Sequence, residues 1–234
     1  MSFDYIGKNL GELLSEIETL EKKCGREVTL VAVTKSGSDE ELIALAEAGV
    51  SDIGENRPTE LKRRGDLLRS HGYSPRLHEI GNLQRNKVKL VISDAHLIHS
   101  VGSITLAEEI DKQAKKHGIV MKVLVEINAE NEESKSGIAL EDVEAFLQEV
   151  SKFENIKVMG LMSIPPIMTD EEAQRKIFEK IYKIYVDISQ KNIHNISMVY
   201  LSLGMSDDYH IAIEEGANIV RVGTALFGKR NYAN

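Results

Sequence analysis

A chain of 234 residues, 42% hydrophobic and 28% charged, has the balance of an ordinary globular protein and enough length to bury a full core. Its formal net charge of −8 argues against a broad nucleic-acid or anionic-membrane surface, because both select basic faces. The one cysteine, Cys24, excludes an intrachain disulfide, and no apolar run is long enough to span a bilayer, so the expectation is a cytoplasmic protein.

Met1 to Leu20 reads as an amphipathic helix carrying Asp4, Glu12, Glu16 and Glu18, unlike a signal peptide; Cys24 falls near its end, in a structural place. The apolar run Val28–Val33 follows, then a helix opened by the capping box Ser38-Asp39-Glu40-Glu41 and closed by Gly49. Three further short runs, Asp52–Gly54, Leu77–Ile80 and His96–Ile98, have strand character. Thr105-Leu106-Ala107-Glu108 predicts another capping box, with Lys115, Lys116 and His117 at the far end of that helix and Gly118 as its stop, an arrangement that suits the helix dipole. Lys122–Ile127 is the next strand, and Val143, Phe146, Leu147 and Val150 mark the stripe of the helix after it. Val158–Met162 precedes a helix opened at Thr169-Asp170-Glu171-Glu172, whose stripe is Ile177, Ile181, Ile184 and Ile188. Met198–Leu201, a helix over Asp207–Glu215 and the run Ile219–Val222 complete the series.

Strand and helix thus alternate through eight candidate strands, which predicts a parallel sheet with right-handed crossovers. Eight units over this length match a single (β/α)8 TIM-type barrel with an N-terminal helix; a doubly wound open sheet shares the alternation. The four prolines, Pro58, Pro75, Pro165 and Pro166, all fall near element ends, and no linker divides the chain, so residues 1–234 read as one domain.

In such a barrel the working face lies at the C-terminal ends of the strands. Lys35 shares a strand face with Val31 and Val33, which places it at the barrel mouth, where desolvation favours a neutral nucleophilic amine; a solvated lysine past a strand explains the position equally well. Ser202-Leu203-Gly204-Met205-Ser206 and Ile219 to Thr224 follow the last two predicted strands, where these barrels bind phosphate through backbone N–H groups. Ser206 either donates there or caps the helix Asp207–Glu215, and both can hold at once; Asp207 and Asp208 must point away from a dianion. Arg221 faces inward and requires a partner, either a ligand or a buried carboxylate such as Glu55 or Glu126. His96 and His99 are three apart on a strand, a poor metal pair, and no metal, Walker or nucleophile-elbow motif is present. His78, ending the third strand, lines the pocket or packs beneath it.

Five segments carry a resemblance: Val31-Ala32-Val33-Thr34-Lys35; Ile53-Gly54-Glu55-Asn56; His78 to Lys87; Asn128 to Gly137; and Ser202 to Gly228, with its SLGMSDD…RVGTALFG pattern. The chain resembles the pyridoxal phosphate homeostasis proteins, small single-domain relatives of the alanine racemase barrel. The resemblance implies that Lys35 forms an internal aldimine with pyridoxal 5′-phosphate. It implies that Ser206, Gly223 and Thr224 bind the phosphate, that Arg221 faces the pyridine nitrogen, that Asn56 lies near the cofactor ring, and that Met162 and Ser163 form its wall. Glu79 stands where the family has an aromatic residue, and Lys135 matches a family lysine of unassigned role. Racemases of this fold add a β-rich domain with an opposing base, for which a chain ending at Asn234 leaves no room. The implied protein is a cofactor carrier without turnover of its own, with apo pyridoxal phosphate enzymes as recipients, monomeric or weakly dimeric; an amino-acid racemase is the alternative.

Overall fold

Parallel strand pairing carries the architecture. The computed structural model describes residues 3–130, 136–166, 168 and 170–228. Strands β1 (Thr29–Val33), β2 (Asp52–Glu55), β3 (Arg76–Glu79), β4 (Ala95–Val101), β5 (Met121–Asn128), β7 (Ile156–Met162), β8 (Ile196–Ser202) and β9 (Ile219–Val222) pair in sequence, β9 returns to β1, and β4 pairs with β5. The ring is therefore closed, an eight-stranded parallel barrel rather than an open sheet. A two-residue strand β6 (Ile138–Ala139), not foreseen in the sequence, pairs with β5.

The helices follow from periodicity and caps. Leading them is α1 (Asp4–Cys24), which buries Ile6, Leu10, Leu13 and Ile17 at helical spacing against Leu45, Ile213 and Leu226. The predicted capping box of α2 (Asp39–Glu47) is present: Glu41 N donates to Ser38 Oγ at 3.2 Å, and Ser38 N donates to the Glu41 carboxylate at 2.6 Å. Beyond it lie α3 (Pro58–Ser70), α4 (Val88–Val91) and α5 (Ile104–His117). The α5 cap differs from expectation. Ser103 accepts from Leu106 N at 3.3 Å, so Thr105 falls within the first turn. Helix α6 (Val143–Val150) buries the four stripe residues read from the sequence. Asp170 caps α7 (Glu171–Ser189), where Ile177, Ile181 and Ile188 are buried; Thr169 lies outside the described residues. The series ends with α8 (Tyr209–Glu214) and α9 (Thr224–Phe227). Among the described residues no helix is long and apolar enough to cross a membrane.

Two layers result. The larger apolar core lies between strands and helices, while Val31, Leu97, Leu124, Met162 and Ile219 fill the barrel interior. The interior is thus packed, as such barrels require, and a ligand has room only above it, at the strand C-termini.

Candidate functional site

Strand alternation sends Val31 into the barrel interior and Val33 and Lys35 to its mouth. β1 ends at Val33, and Gly37 N donates to Thr34 O at 2.8 Å, closing a turn that carries Lys35. The lysine is consequently exposed at the mouth, past the end of the strand, which is the solvated one of the two readings the sequence left open. Arg64 of α3 grips this turn from behind. Its guanidinium donates to Thr34 O, to Gly37 O at 2.7 Å and to the Glu55 carboxylate at 2.8 Å, and Thr34 Oγ1 donates to the same carboxylate.

A cavity of about 780 Å³ opens there and brings Lys35 together with Asn56, Ser206, Arg221, Gly223 and Thr224, six of the nine residues singled out in the sequence. Asn56 follows β2, and Gly81 presses against its backbone: a Cβ on Gly81 would lie 2.2 Å from Asn56 O. Past β8, Gly204 has φ 87°, and a Cβ there would meet Ala212 and Tyr209 within 3 Å, so glycine alone allows the Met205–Ser206 loop to pass so close to α8. Ser206 does not cap that helix. Its hydroxyl instead accepts from Gly223 N at 3.2 Å and Ala225 N at 3.4 Å, joining the segments that follow β8 and β9. Asp208 turns away as required, its carboxylate accepting from Met205 N at 2.6 Å, whereas Asp207 lines the cavity.

Arg221 reaches the cavity from β9 and is 4% exposed. Its partners are not the carboxylates considered from sequence. Nη1 donates to Ser202 O at 2.9 Å and Ser202 Oγ at 2.6 Å, and Nη2 donates to Ser163 O at 3.0 Å. Burial lowers its pKa to about 10, with Asp208 and Glu126 opposing the shift. Glu126 faces the cavity, and burial raises its carboxyl above the usual range, against the pull of Arg221. Glu55 is occupied elsewhere, by Thr34 and Arg64.

Three of the nine residues lie off this cavity. Met162 is buried in the barrel interior. Ser163 lines an adjoining cavity of about 270 Å³, its hydroxyl donating to Ile127 O at 2.7 Å. His78 points inward one layer below the mouth, bonded to Asp52 Oδ1 and His99, each at 2.9 Å. Opposite faces were expected for His96 and His99. A register irregularity in the β3–β4 pairing instead leaves both rings beside His78, at centroid distances of 5.8 and 5.2 Å. No metal-binding group of His, Cys, Asp or Glu exists among the described residues. Glu79 is fully buried, with Oε1 accepting from Gly81 N at 3.1 Å and Oε2 unpaired. Burial, reinforced by neighbouring Glu55, raises its pKa to about 8 against the Gly81 N–H, so it packs as a neutral acid. Lys135 lies outside the described residues.

The donor set is one amine, one buried guanidinium, two hydroxyls and converging backbone N–H groups. Its chemistry fits a small phosphorylated carbonyl compound: the amine meets an electrophilic carbon, and the loop donors meet a dianion. The barrel belongs to the alanine racemase class: the family model described as alanine racemase, N-terminal domain, matches residues 9–231. The chain belongs, within that class, to the pyridoxal phosphate homeostasis protein family. A curated member from Aquifex aeolicus is 37% identical over 231 residues, spanning 96% of this chain and 100% of the relative. One from Vibrio cholerae is 33% identical over 235 residues, spanning 97% and 98%. Among solved structures, PipY of Synechococcus elongatus, with pyridoxal phosphate bound, superposes with a TM-score of 0.85 at 29% identity, covering 95% of this chain and 100% of that one. The resemblance read from five segments therefore holds over nearly the whole chain.

Proposed function

We propose that this protein binds pyridoxal 5′-phosphate through Lys35 and serves the homeostasis and delivery of the cofactor in the cytoplasm, without turnover of its own. The observation that carries the reading is the single cavity in which the Lys35 amine, the Arg221 guanidinium and the Ser206–Gly223–Thr224 cradle meet. Ser206 and Thr224 donate to the phosphate together with the loop N–H groups. Arg221 faces the pyridine nitrogen, and Asn56 lies beside the ring. When bound, the group supplies an electrophilic aldehyde carbon and an electron-withdrawing ring. An arginine in place of a carboxylate at the ring nitrogen leaves that nitrogen unprotonated and weakens the ring's capacity to stabilise a carbanion. Holding the cofactor without consuming it then follows, with apo pyridoxal phosphate enzymes as recipients.

Racemisation requires a base on each face of the reacting carbon. Among the described residues lining the cavity there is no tyrosine, cysteine or histidine, and Lys35 is the one lysine. Purified protein incubated with L- and D-alanine in deuterated water is therefore expected to show no inversion, and at most slow deuterium uptake at Cα. Robust inversion that disappears in Glu126→Gln would replace the carrier reading by a racemase using the Glu126 carboxyl as second base.

The phosphate cradle has its own test. Each lost hydrogen bond to a charged group costs roughly 1.5–3 kcal/mol, so the double variant Ser206→Ala/Thr224→Ala is expected to bind the cofactor more than about tenfold more weakly, and Lys135→Ala to lose less. Titration by absorbance measures both, and an unchanged affinity in the double variant moves the phosphate elsewhere.

A further inference from the structure

Beneath the cavity floor, a chain of hydrogen bonds runs the length of the barrel interior. At the pocket end, Arg221 Nη1 donates to Ser202 Oγ at 2.6 Å. Ser202 Oγ lies 3.1 Å from His99 Nδ1, His99 Nε2 lies 2.9 Å from His78 Nδ1, and His78 Nε2 lies 2.9 Å from Asp52 Oδ1. At the far end Arg76 Nη2 donates to Asp52 Oδ2 at 2.6 Å. Asp52 and Arg76 open β2 and β3, so the chain begins at the end of the barrel opposite the pocket. Ser202 and His99 are completely buried, and His78, Asp52 and Arg221 nearly so.

The position of every proton in this chain follows from its ends. A guanidinium has donors only, so Ser202 Oγ accepts from Arg221. A hydroxyl can accept twice, so the Asp52 end decides the rest: with both rings neutral, the Ser202 hydroxyl proton points to the lone pair on His99 Nδ1. Burial holds His99 neutral, and the positive charge of Arg221 acts in the same direction. The His99 proton is therefore on Nε2 and is donated to His78 Nδ1, which leaves the His78 proton on Nε2, donated to Asp52. At that end, burial works to raise the Asp52 carboxyl, but the bonds from His78 and Arg76 outweigh it and keep it below its ordinary range, an ionised acceptor. A donor-only group at one end and an acceptor-only group at the other agree on one direction. With both rings neutral, reversing any link sets two N–H groups or two lone pairs against each other in a buried site, at the full desolvation cost.

We propose that His99 and His78 are positioning residues of the cofactor site: anchored by Asp52, they form a one-way hydrogen-bond relay that fixes the Ser202 hydroxyl and, through it, the Arg221 guanidinium at the pocket. The relay rests on the carrier reading only for what Arg221 meets in the pocket. Ser202 O, Ser202 Oγ and Ser163 O take three of the five guanidinium hydrogens. Nε and the second Nη2 hydrogen have no described partner, and Arg221 lines the cavity. A guanidinium held on one edge in this way presents the rest of its donors in one orientation, which a ring nitrogen with a single in-plane lone pair requires.

The test has one arm without cofactor and one with it. In cofactor-free protein, long-range nitrogen–proton correlation spectra of the imidazoles near neutral pH are expected to show His78 and His99 both neutral and both protonated on Nε2. A charged ring, or a proton on Nδ1 of either, overturns the relay. In the second arm, pyridoxal phosphate is titrated into wild type, His99→Phe and His99→Gln, with affinity and the position of the visible band as readouts. Phenylalanine fills the space but ends the chain, and is expected to weaken binding about tenfold and displace the band. Glutamine can accept from Ser202 and donate to His78, and is expected to restore both. His99→Phe binding with wild-type affinity and an unmoved band overturns the proposal. If His99→Phe does not fold, the tautomers of the wild type decide it. If wild type fails to bind pyridoxal phosphate, the carrier reading falls, and the cofactor-free spectra still decide the relay.

Discussion

Replacing Lys35 with alanine is expected to abolish covalent attachment of pyridoxal phosphate and leave the fold unchanged. Lys35 sits on a surface turn and makes no hydrogen bond or ion pair with a described residue, so no packing depends on its side chain. Exposed substitutions of this kind stay within about 0.5 kcal/mol of wild type. The effect on binding is of another order, because in the proposed function the amine bonds to the aldehyde carbon, and the cavity offers no second described lysine to take its place. Borohydride reduction of cofactor-saturated wild type, followed by peptide mass mapping, is expected to leave one stoichiometric label, on the peptide containing Lys35. In the variant the visible band and the label both disappear, while the phosphate cradle still holds the cofactor weakly and reversibly. A band that survives in Lys35→Ala rejects the assignment.

The legibility of this site in the sequence divides along a physical line. Local rules placed Lys35: strand alternation carries Val31, Val33 and Lys35 along one face whatever the rest of the barrel does. Local rules also found the Ser38 capping box and the stripe of α6, since each depends on residues within one or two turns. Properties set by how far one strand slides past another were not legible. His78 pairs with Gly54 and Leu97 one layer below the mouth, so it bonds inward to Asp52 and His99 instead of lining the pocket, and Met162 joins the interior cluster for the same reason. The dipeptide Glu79-Ile80 gave no hint that its acid is buried and neutral beside Glu55. Ser202, which anchors Arg221, read as the start of the loop after the seventh strand, whereas it closes β8 with its hydroxyl turned to the guanidinium. Arg64 was missed although a signal was present. It occupies the apolar face of α3 between Leu61 and Leu68, at spacings of three and four, and a charged residue on a buried helical stripe demands a partner.

That partner makes Arg64 the residue whose loss is expected to cost most in stability. The Arg64 and Glu55 side chains are 7% and 2% exposed, their charges 2.8 Å apart, so screening by water is slight. Removing one member of a buried pair costs about 3–5 kcal/mol, chiefly because the other charge is left without compensation. In Arg64→Ala, the carbonyl of Gly37 loses its arginine donor and that of Thr34 keeps only the Gly37 N–H, and these are the residues on either side of the Lys35 turn. The Glu55 carboxyl already lies above its ordinary pKa, because burial outweighs the bonds from Thr34 and Arg64, so loss of the arginine drives it toward the neutral form. Urea unfolding is expected to show a large drop in midpoint for Arg64→Ala. Arg64→Lys falls between, since one ammonium cannot reach both carbonyls and the carboxylate with the geometry of a planar fork. Arg64→Met combined with Glu55→Gln removes both charges together, and is expected to recover much of the stability but not the cofactor affinity, because the turn carrying Lys35 still lacks its clamp. If the double variant regained full affinity, Arg64 would matter to the core alone, and the position of Lys35 would be set by the Thr34–Gly37 turn without help from α3.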